Sequence, residues 1–439
     1  MLGYLLNVCY SLLLLAFSPY LLYVSLRKQK YREGWAEELL GLSPQRQREC
    51  RCIWLHAVSV GEVQLLESLI EEIKRRDPNL ECVISTTTKT GYALAGEKYP
   101  GHTVFYCPLD FTWAVNNALR RIRPDLLVLA ELELWPNLIL AARRRGVGLA
   151  VVNGRLSPKS FRGYRRVRWL TARMLRCLDL LAVQNEEYAE RFLDLGARAE
   201  DLVITGSIKF DGAESDRRNP QTMQLASLAG FAANDTVFLA GSTQQPEESL
   251  AVDTFCALVD DYPQLRLVLV PRHPDRFDEV AQMLRERRLG WCRRSQLTGT
   301  APCYPEARIL LIDTVGELGR WWGTAQIGFV GGSLGTRGGQ NMIEPAAYGV
   351  AVCFGPHTEN FRDVVSALQS AAGAHVVANG AELTNFVHRC LQENAYARQL
   401  GVHAAALVGT SRGATGRTVD QLLARLPAQT AAARPSTAA

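Results

Sequence analysis

Short apolar runs alternate along this chain with longer stretches of helical period, and polar or glycine residues follow nearly every run. That pattern fits strands buried on both faces and joined by helices, which is how a parallel sheet reads in sequence. It predicts strands at Cys52 to Val58, Cys82 to Ser85, Val104 to Tyr106, Pro124 to Ala130, Leu149 to Val152, Leu180 to Val183 and Leu202 to Thr205. From Gly212 to Asn234 the chain is polar and irregular, as in a crossing between domains. The alternation restarts at Val237 to Ala240, Leu265 to Val270, Ile309 to Ile312 and Ala325 to Val330, continues with a strand after the helix that Asn341 opens and before Phe361, and ends at His375 to Ala378. Helices are expected over Ala381 to Leu407 and Thr415 to Leu426. The fold class is therefore α/β, with two successive βα domains whose strand ends face one cleft.

The two ends of the chain break this pattern. The first 26 residues carry no charged side chain, and Arg27, Lys28, Lys30 and Arg32 follow at once. Such a segment reads as a membrane-anchor helix with the body on the cytoplasmic side. Asn7, Ser11 and Pro19 interrupt the apolar run, so a helix lying in the interface or packed on the protein is the alternative. Tyr31 to Gly41 reads as a short amphipathic helix beside it. Pro427 to Ala439, rich in Ala, Thr and Pro, reads as a disordered tail. The expected boundaries are 1–26, 27–211, 212–426 and 427–439.

Composition changes this picture little. A chain of 439 residues with 47% apolar content supports two sizeable cores, and a net charge of +5 does not call for nucleic acid as a partner. The 11 cysteines include no C-x-x-C, and the histidines show no ligand spacing. Free thiols in a reducing compartment, and no metal site, are the expectation.

Candidate chemistry lies at the strand ends. Glu62 closes Ser59-Val60-Gly61-Glu62, which is a capping box and also the carboxyl end of a parallel strand, where open α/β sheets hold ligands. Glu131 and Glu133 sit together after another strand, beside Trp135-Pro136. Lys209 follows a third strand end and suits an anion. Lys159 to Arg176 interleaves Arg with Phe161, Tyr164, Trp169 and Met174, a composition fitted to an anionic membrane surface or an acidic lipid substrate; a solvated basic face and nucleic acid are the alternatives, and the apolar N-terminal segment favours membrane. In the second half, Gly331, Gly332, Gly335, Gly338 and Gly339 precede Asn341 and a helix with Glu344 in its first turn. Neither G-x-G-x-x-G nor a P-loop lysine is present. Glycines before a helix present backbone N–H groups to an anion, and Glu344 can accept hydrogen bonds from ribose hydroxyls. Glu344 as a partner of the helix dipole is the structural alternative.

Ten motifs then align in order: HAVSVGE (56–62), TTTKTG (86–91), ELELWPN (131–137), NGRLS (153–157), GSIKFD (206–211), GST (241–243), PRHP (271–274), DTVGEL (313–318), FVGGS (329–333) and NMIEPAAYG (341–349). Together they resemble the 3-deoxy-D-manno-octulosonic acid (Kdo) transferases of Gram-negative bacteria. The resemblance implies the GT-B glycosyltransferase fold, with two Rossmann-like domains facing a cleft. It implies inverting transfer of Kdo from CMP-Kdo to a lipid A precursor, lipid IVA, at the bacterial inner membrane, without metal or cofactor. By the same resemblance Glu62 is the general base, and Glu131 and Lys209 stabilise the transition state. Pro271 and Arg272, Val315, Gly316 and Glu317, and Asn341, Met342, Ile343 and Glu344 contact CMP. Glu133 could share or replace the role given to Glu131. Two rival readings keep the fold: a GT-B enzyme using another nucleotide sugar, or a non-catalytic membrane-anchored binding protein.

Overall fold

The computed structural model describes residues 2–28, 34–47, 50–297 and 307–427, with side chains left undescribed over 19–28. The expected tail after Pro427 therefore lies outside the described residues. The chain forms two units, one made of Met1–Asp211 with Arg412–Ala439 and the other of Gly212–Ser411.

The first unit holds β1 (Cys52–His56), β2 (Glu81–Thr86), β3 (Thr103–Tyr106), β4 (Leu126–Ala130), β5 (Gly148–Gly154), β6 (Leu180–Val183) and β7 (Leu202–Ile204). They pair in the order β3-β2-β1-β4-β5-β6-β7, all parallel. The second unit holds β8 (Thr236–Thr243), β9 (Leu265–Pro271), β10 (Trp291–Arg293), β11 (Ile309–Leu311), β12 (Ile327–Val330), β13 (Ala351–Phe354) and β14 (Ala374–Val376). Its order is β10-β11-β9-β8-β12-β13-β14, again all parallel. β1, β4, β6, β12 and β13 are buried along their whole length, which is why they read as unbroken apolar runs. In each sheet the winding reverses once, between β1 and β4 and between β8 and β12. Such a reversal opens a crevice at the carboxyl ends of the two strands.

Three expectations need correction. The stretch Gly212 to Asn234 is not an irregular crossing: Pro220–Leu228 is a helix capped by Asn219, and Arg217 donates to the carbonyls of Tyr348 and Gly323. The second domain ends at Ser411, not Leu426. Helix Ala414–Leu423 buries Ala414, Val419 and Leu422 in the core of the first unit, packing along helix Val60–Arg76 and β6. Cys9, Cys50, Cys52, Cys82, Cys107, Cys177, Cys256, Cys353 and Cys390 are free, but Cys292 is disulfide-bonded. A bond between cysteines that form no spaced motif leaves no signature in the sequence.

The N-terminal segment is a helix, Leu2–Lys28. Asn7, the polar residue that interrupts the apolar run, docks it: Nδ2 donates to Thr112 Oγ1 at 2.7 Å, and Oδ1 accepts from Thr112 N at 3.1 Å. Tyr10, just under one helical turn further along, donates to Asp110 at 3.1 Å. Leu12, Leu13, Leu15 and Phe17 are exposed. Among the described residues no helix is long and apolar enough to cross a membrane. The shorter helix Trp35–Leu40 packs on the first unit, where Trp113 donates to Leu39 O and Glu37 accepts from Tyr106 N.

His56 ends β1 fully buried, with Nδ1 2.9 Å from Ser85 Oγ. Burial drives its pKa down from the usual 6.5 to about 4. A group with a depressed folded pKa of this kind binds its proton only on unfolding, so its contribution is full above pH 6.5 and is lost as pH falls towards 4. Between pH 7 and pH 5 this amounts to about 2 kcal/mol. Denaturant titrations at the two pH values should show His56→Gln losing about 2 kcal/mol less than wild type over that interval.

Candidate functional site

The crevice of the first unit is built on β1 and β4. After β1, Ser59 caps helix Val60–Arg76, and its Oγ accepts from Glu62 N at 3.3 Å. The Glu62 carboxylate reaches back, taking Val58 N at 2.8 Å and Ser59 Oγ–H at 2.8 Å. This is the capping box that the spacing predicts. The hydroxyls of the TTTKTG loop support it from the next strand: Thr86 and Thr88 both donate to the Val58 carbonyl, at 3.3 and 3.2 Å. Burial raises the pKa of Glu62 and the charge of Glu131 adds to this, against the hydrogen bonds of Val58 and Ser59 and the charge of Arg155. A half-buried carboxylate fixed by two donors, with its proton affinity raised, has the properties of a base.

After β4, Glu131 adopts φ 56°. Its carboxylate bridges two cations, accepting from Arg155 Nε at 2.7 Å and from Lys209 Nζ at 3.1 Å. Structure thus joins Glu131 to Lys209 and adds Arg155, which sequence reasoning quoted in a motif but gave no role. Lys209 is turned outward because its neighbours Ile208 and Phe210 are buried. Asn153 sets the height of that loop. It is fully buried at φ 54°, and its Oδ1 accepts from Ile208 N at 3.1 Å. The register of β5 against β6 shifts between Val151 and Gly154, so Asn153 sits in a bulge. Asp211 accepts from Gly413 N and Thr415 N, and Arg417 donates to Thr205 O, so the returning C-terminal segment clamps the same loop. Glu133 is pushed up to about 7, by burial first and then by the charges of Glu62 and Glu131.

In the second unit Arg272 follows β9, with its N–H bonded to Thr243 O at 3.0 Å and its side chain exposed. Gly316 adopts φ 89°, and Val315 beside it is 78% exposed. The Glu317 carboxylate is committed inside the protein, to Arg294 at 3.0 and 2.8 Å, Thr314 Oγ1 at 2.7 Å and Trp321 Nε1 at 3.3 Å. Burial works against ionisation there, but those hydrogen bonds outweigh it and hold its pKa low. Asn341 Nδ2 donates to Glu344 Oε1 at 3.0 Å, and its Oδ1 accepts from Ile343 N at 3.0 Å. Burial raises the pKa of Glu344. Met342 and Ile343 are buried, so they can offer a ligand only backbone.

The glycine loop departs from expectation. Its N–H groups at Gly332, Ser333 and Leu334 do not wait for an external anion. They donate to the carboxylate of Glu247, at 2.7, 2.9 and 3.0 Å. Sequence reasoning overlooked Glu247, because an acidic pair at a helix start reads as a dipole partner. Among the described residues, no group of three or more His, Cys, Asp or Glu is gathered closely enough to hold a metal ion.

On the basic segment, helices Pro158–Arg166 and Arg168–Leu175 bury Met174 and pack Phe161 and Tyr164 on the core. Trp169 is left 66% exposed among Arg side chains.

Residues 33–212 match the family model for 3-deoxy-D-manno-octulosonic-acid transferase (kdotransferase). A 3-deoxy-D-manno-octulosonic acid transferase of Haemophilus influenzae is 32% identical over 94% of this chain and 97% of its own. One of Bordetella pertussis is 33% identical over 84% and 86%. Among solved structures, a glycosyltransferase from Rickettsia africae superposes with a TM-score of 0.56 over 87% of this chain and 100% of its own, at 11% identity, a likeness of fold. Two parallel-sheet domains, the carboxylates at the first switch point and near-full-length relatives at this identity agree, and the chain belongs to the 3-deoxy-D-manno-octulosonic acid transferase family of glycosyltransferases.

Proposed function

We propose that this protein transfers Kdo from CMP-Kdo to a lipid A precursor, lipid IVA, with inversion at the anomeric carbon. The observation that carries the chemistry is the first crevice, where a base-like carboxylate, Glu62, lies beside the Arg155–Glu131–Lys209 bridge. Glu62 takes the proton of an acceptor hydroxyl as that oxygen bonds to the anomeric carbon of Kdo. The bond from that carbon to the phosphate oxygen breaks, and CMP leaves with its electron pair. Glu131 offsets positive charge on the oxocarbenium-like centre, while Lys209 holds the donor's carboxylate or phosphate.

In the second unit the exposed Arg272 takes the phosphate of CMP, with backbone from Val315 to Glu317 beside it. Glu344 accepts from ribose hydroxyls, oriented by Asn341. Glu317 acts through its loop, because its carboxylate is already committed to Arg294 and Thr314. For location, the Leu2–Lys28 helix with its exposed Leu12, Leu13, Leu15 and Phe17, together with the Arg-rich surface around Trp169, supports attachment to inner-membrane lipids on the cytoplasmic side.

A transfer assay tests the reaction directly. Purified protein in detergent, given CMP-Kdo generated in situ and tetra-acylated lipid A precursor, should yield products heavier by one or two Kdo units. No mass gain beside an active control enzyme would overturn the donor and acceptor assignment. Glu62→Gln keeps an acceptor for the capping box, so stability should stay within about 1 kcal/mol while turnover falls by roughly 100- to 10,000-fold. Because Glu62 must be ionised to act, kcat/KM should fall as pH drops through its raised pKa. Arg155→Ala removes a charge that favours the ionised form, so that acid limb should move to higher pH.

A further inference from the structure

The crevice between β8 and β12 is where a sheet wound this way offers its N–H groups to a ligand. Here a protein carboxylate occupies it. Glu247 is 1% exposed, and its two oxygens accept four backbone N–H groups. Gln244 N, at 2.9 Å, belongs to the loop after β8, whereas Gly332, Ser333 and Leu334 belong to the loop after β12. Among the described residues Glu247 has no ion-pair partner, and the nearby Arg276 pairs with Glu248 instead.

Both loops lead on to the nucleotide-contacting residues proposed above. Thr243 O accepts from Arg272 N at 3.0 Å, so the first loop fixes the start of the Arg272 turn. Gly332 O accepts from Gly339 N at 2.8 Å, which folds the glycine loop back two residues before Asn341. The approach is too close for any side chain at Gly331, where a Cβ would lie 2.6 Å from Thr243 Cα and 2.7 Å from Glu247 Oε2. Ser242, at φ 54°, sits in a register shift of β8 against β9 and shows the strain that this closure maintains.

We propose that Glu247 is a positioning residue for the nucleotide: an internal anion that ties the two loops together and so places Arg272 and Asn341–Glu344 before the donor arrives. The proposal rests on the nucleotide-donor reading of this unit. Glu247→Gln replaces one acceptor oxygen by an NH2 that confronts N–H donors, and Glu247→Asp keeps the charge one methylene too short. Calorimetric titration with CMP should show binding weakened at least about tenfold in either variant, from the loss of charge-assisted hydrogen bonds. In the transfer assay KM for the donor should rise by a similar factor, with kcat within about threefold at saturation, a split that general destabilisation would not produce. Amide exchange should quicken at Gly332, Ser333 and Leu334 while the β9 and β13 amides keep their protection. Unchanged CMP affinity in a folded variant, with wild type binding normally, would overturn the positioning role alone. Failure of wild type to bind CMP would overturn the donor reading and the proposal with it. If Glu247→Gln does not fold, Glu247→Asp decides.

Discussion

Everything chemical in this molecule depends on one constraint of parallel pairing. A sheet whose strands wind first one way and then the other must part its loops at the reversal, and the gap leaves room above the strand ends for side chains to converge. Each unit has one such place. In the first, β1 and β4 supply Glu62 and Glu131; in the second, β8 and β12 supply the two loops that Glu247 joins. The two crevices solve the same problem of unsatisfied backbone donors with carboxylates, but to different ends. Glu62 keeps its carboxylate half-buried beside the Glu131 bridge, while Glu247 is enclosed.

Carboxylates crowded in the first crevice disfavour one another's charge, and the cations decide how the burden is divided. Arg155 and Lys209 both bind Glu131, leaving Glu62 and Glu133 to carry the effects of burial. Left-handed backbone at Glu131 and Asn153 accompanies this arrangement. Such conformations cost on the order of 1 kcal/mol each and persist where surrounding structure holds them, here the strands on both sides.

Much of this was legible in the sequence. Apolar runs located β1 to β9 and β11 to β14 because strands buried on both faces cannot conceal their hydrophobicity. The exception, β10, is a short edge strand of Trp291, Cys292 and Arg293, with too few apolar positions to register. The Ser59–Glu62 box and the Glu131 and Lys209 strand ends were readable as local motifs. Asn153 and Glu247 were not, since their importance lies in partners 55 and 85 residues away. Nor was the destination of the last helix, because an amphipathic stripe states that a face will be buried but not against which unit.

That returning helix makes the second unit, in chain terms, an insertion within the first. The loop bearing Lys209 is complete at Asp211, yet the N–H groups that occupy the Asp211 carboxylate belong to Gly413 and Thr415. During synthesis some 200 residues, a whole unit, must be made before those groups leave the ribosome. Until then the first unit has its sheet, and its Lys209 loop has the Asn153 and Glu131 contacts, but the part of its core that the last helix covers, along Val60–Arg76 and β6, stays open. Residues 413–423 therefore act as a closing latch, and the loop that bears Lys209 is finished only by a segment that follows the whole second unit in the chain.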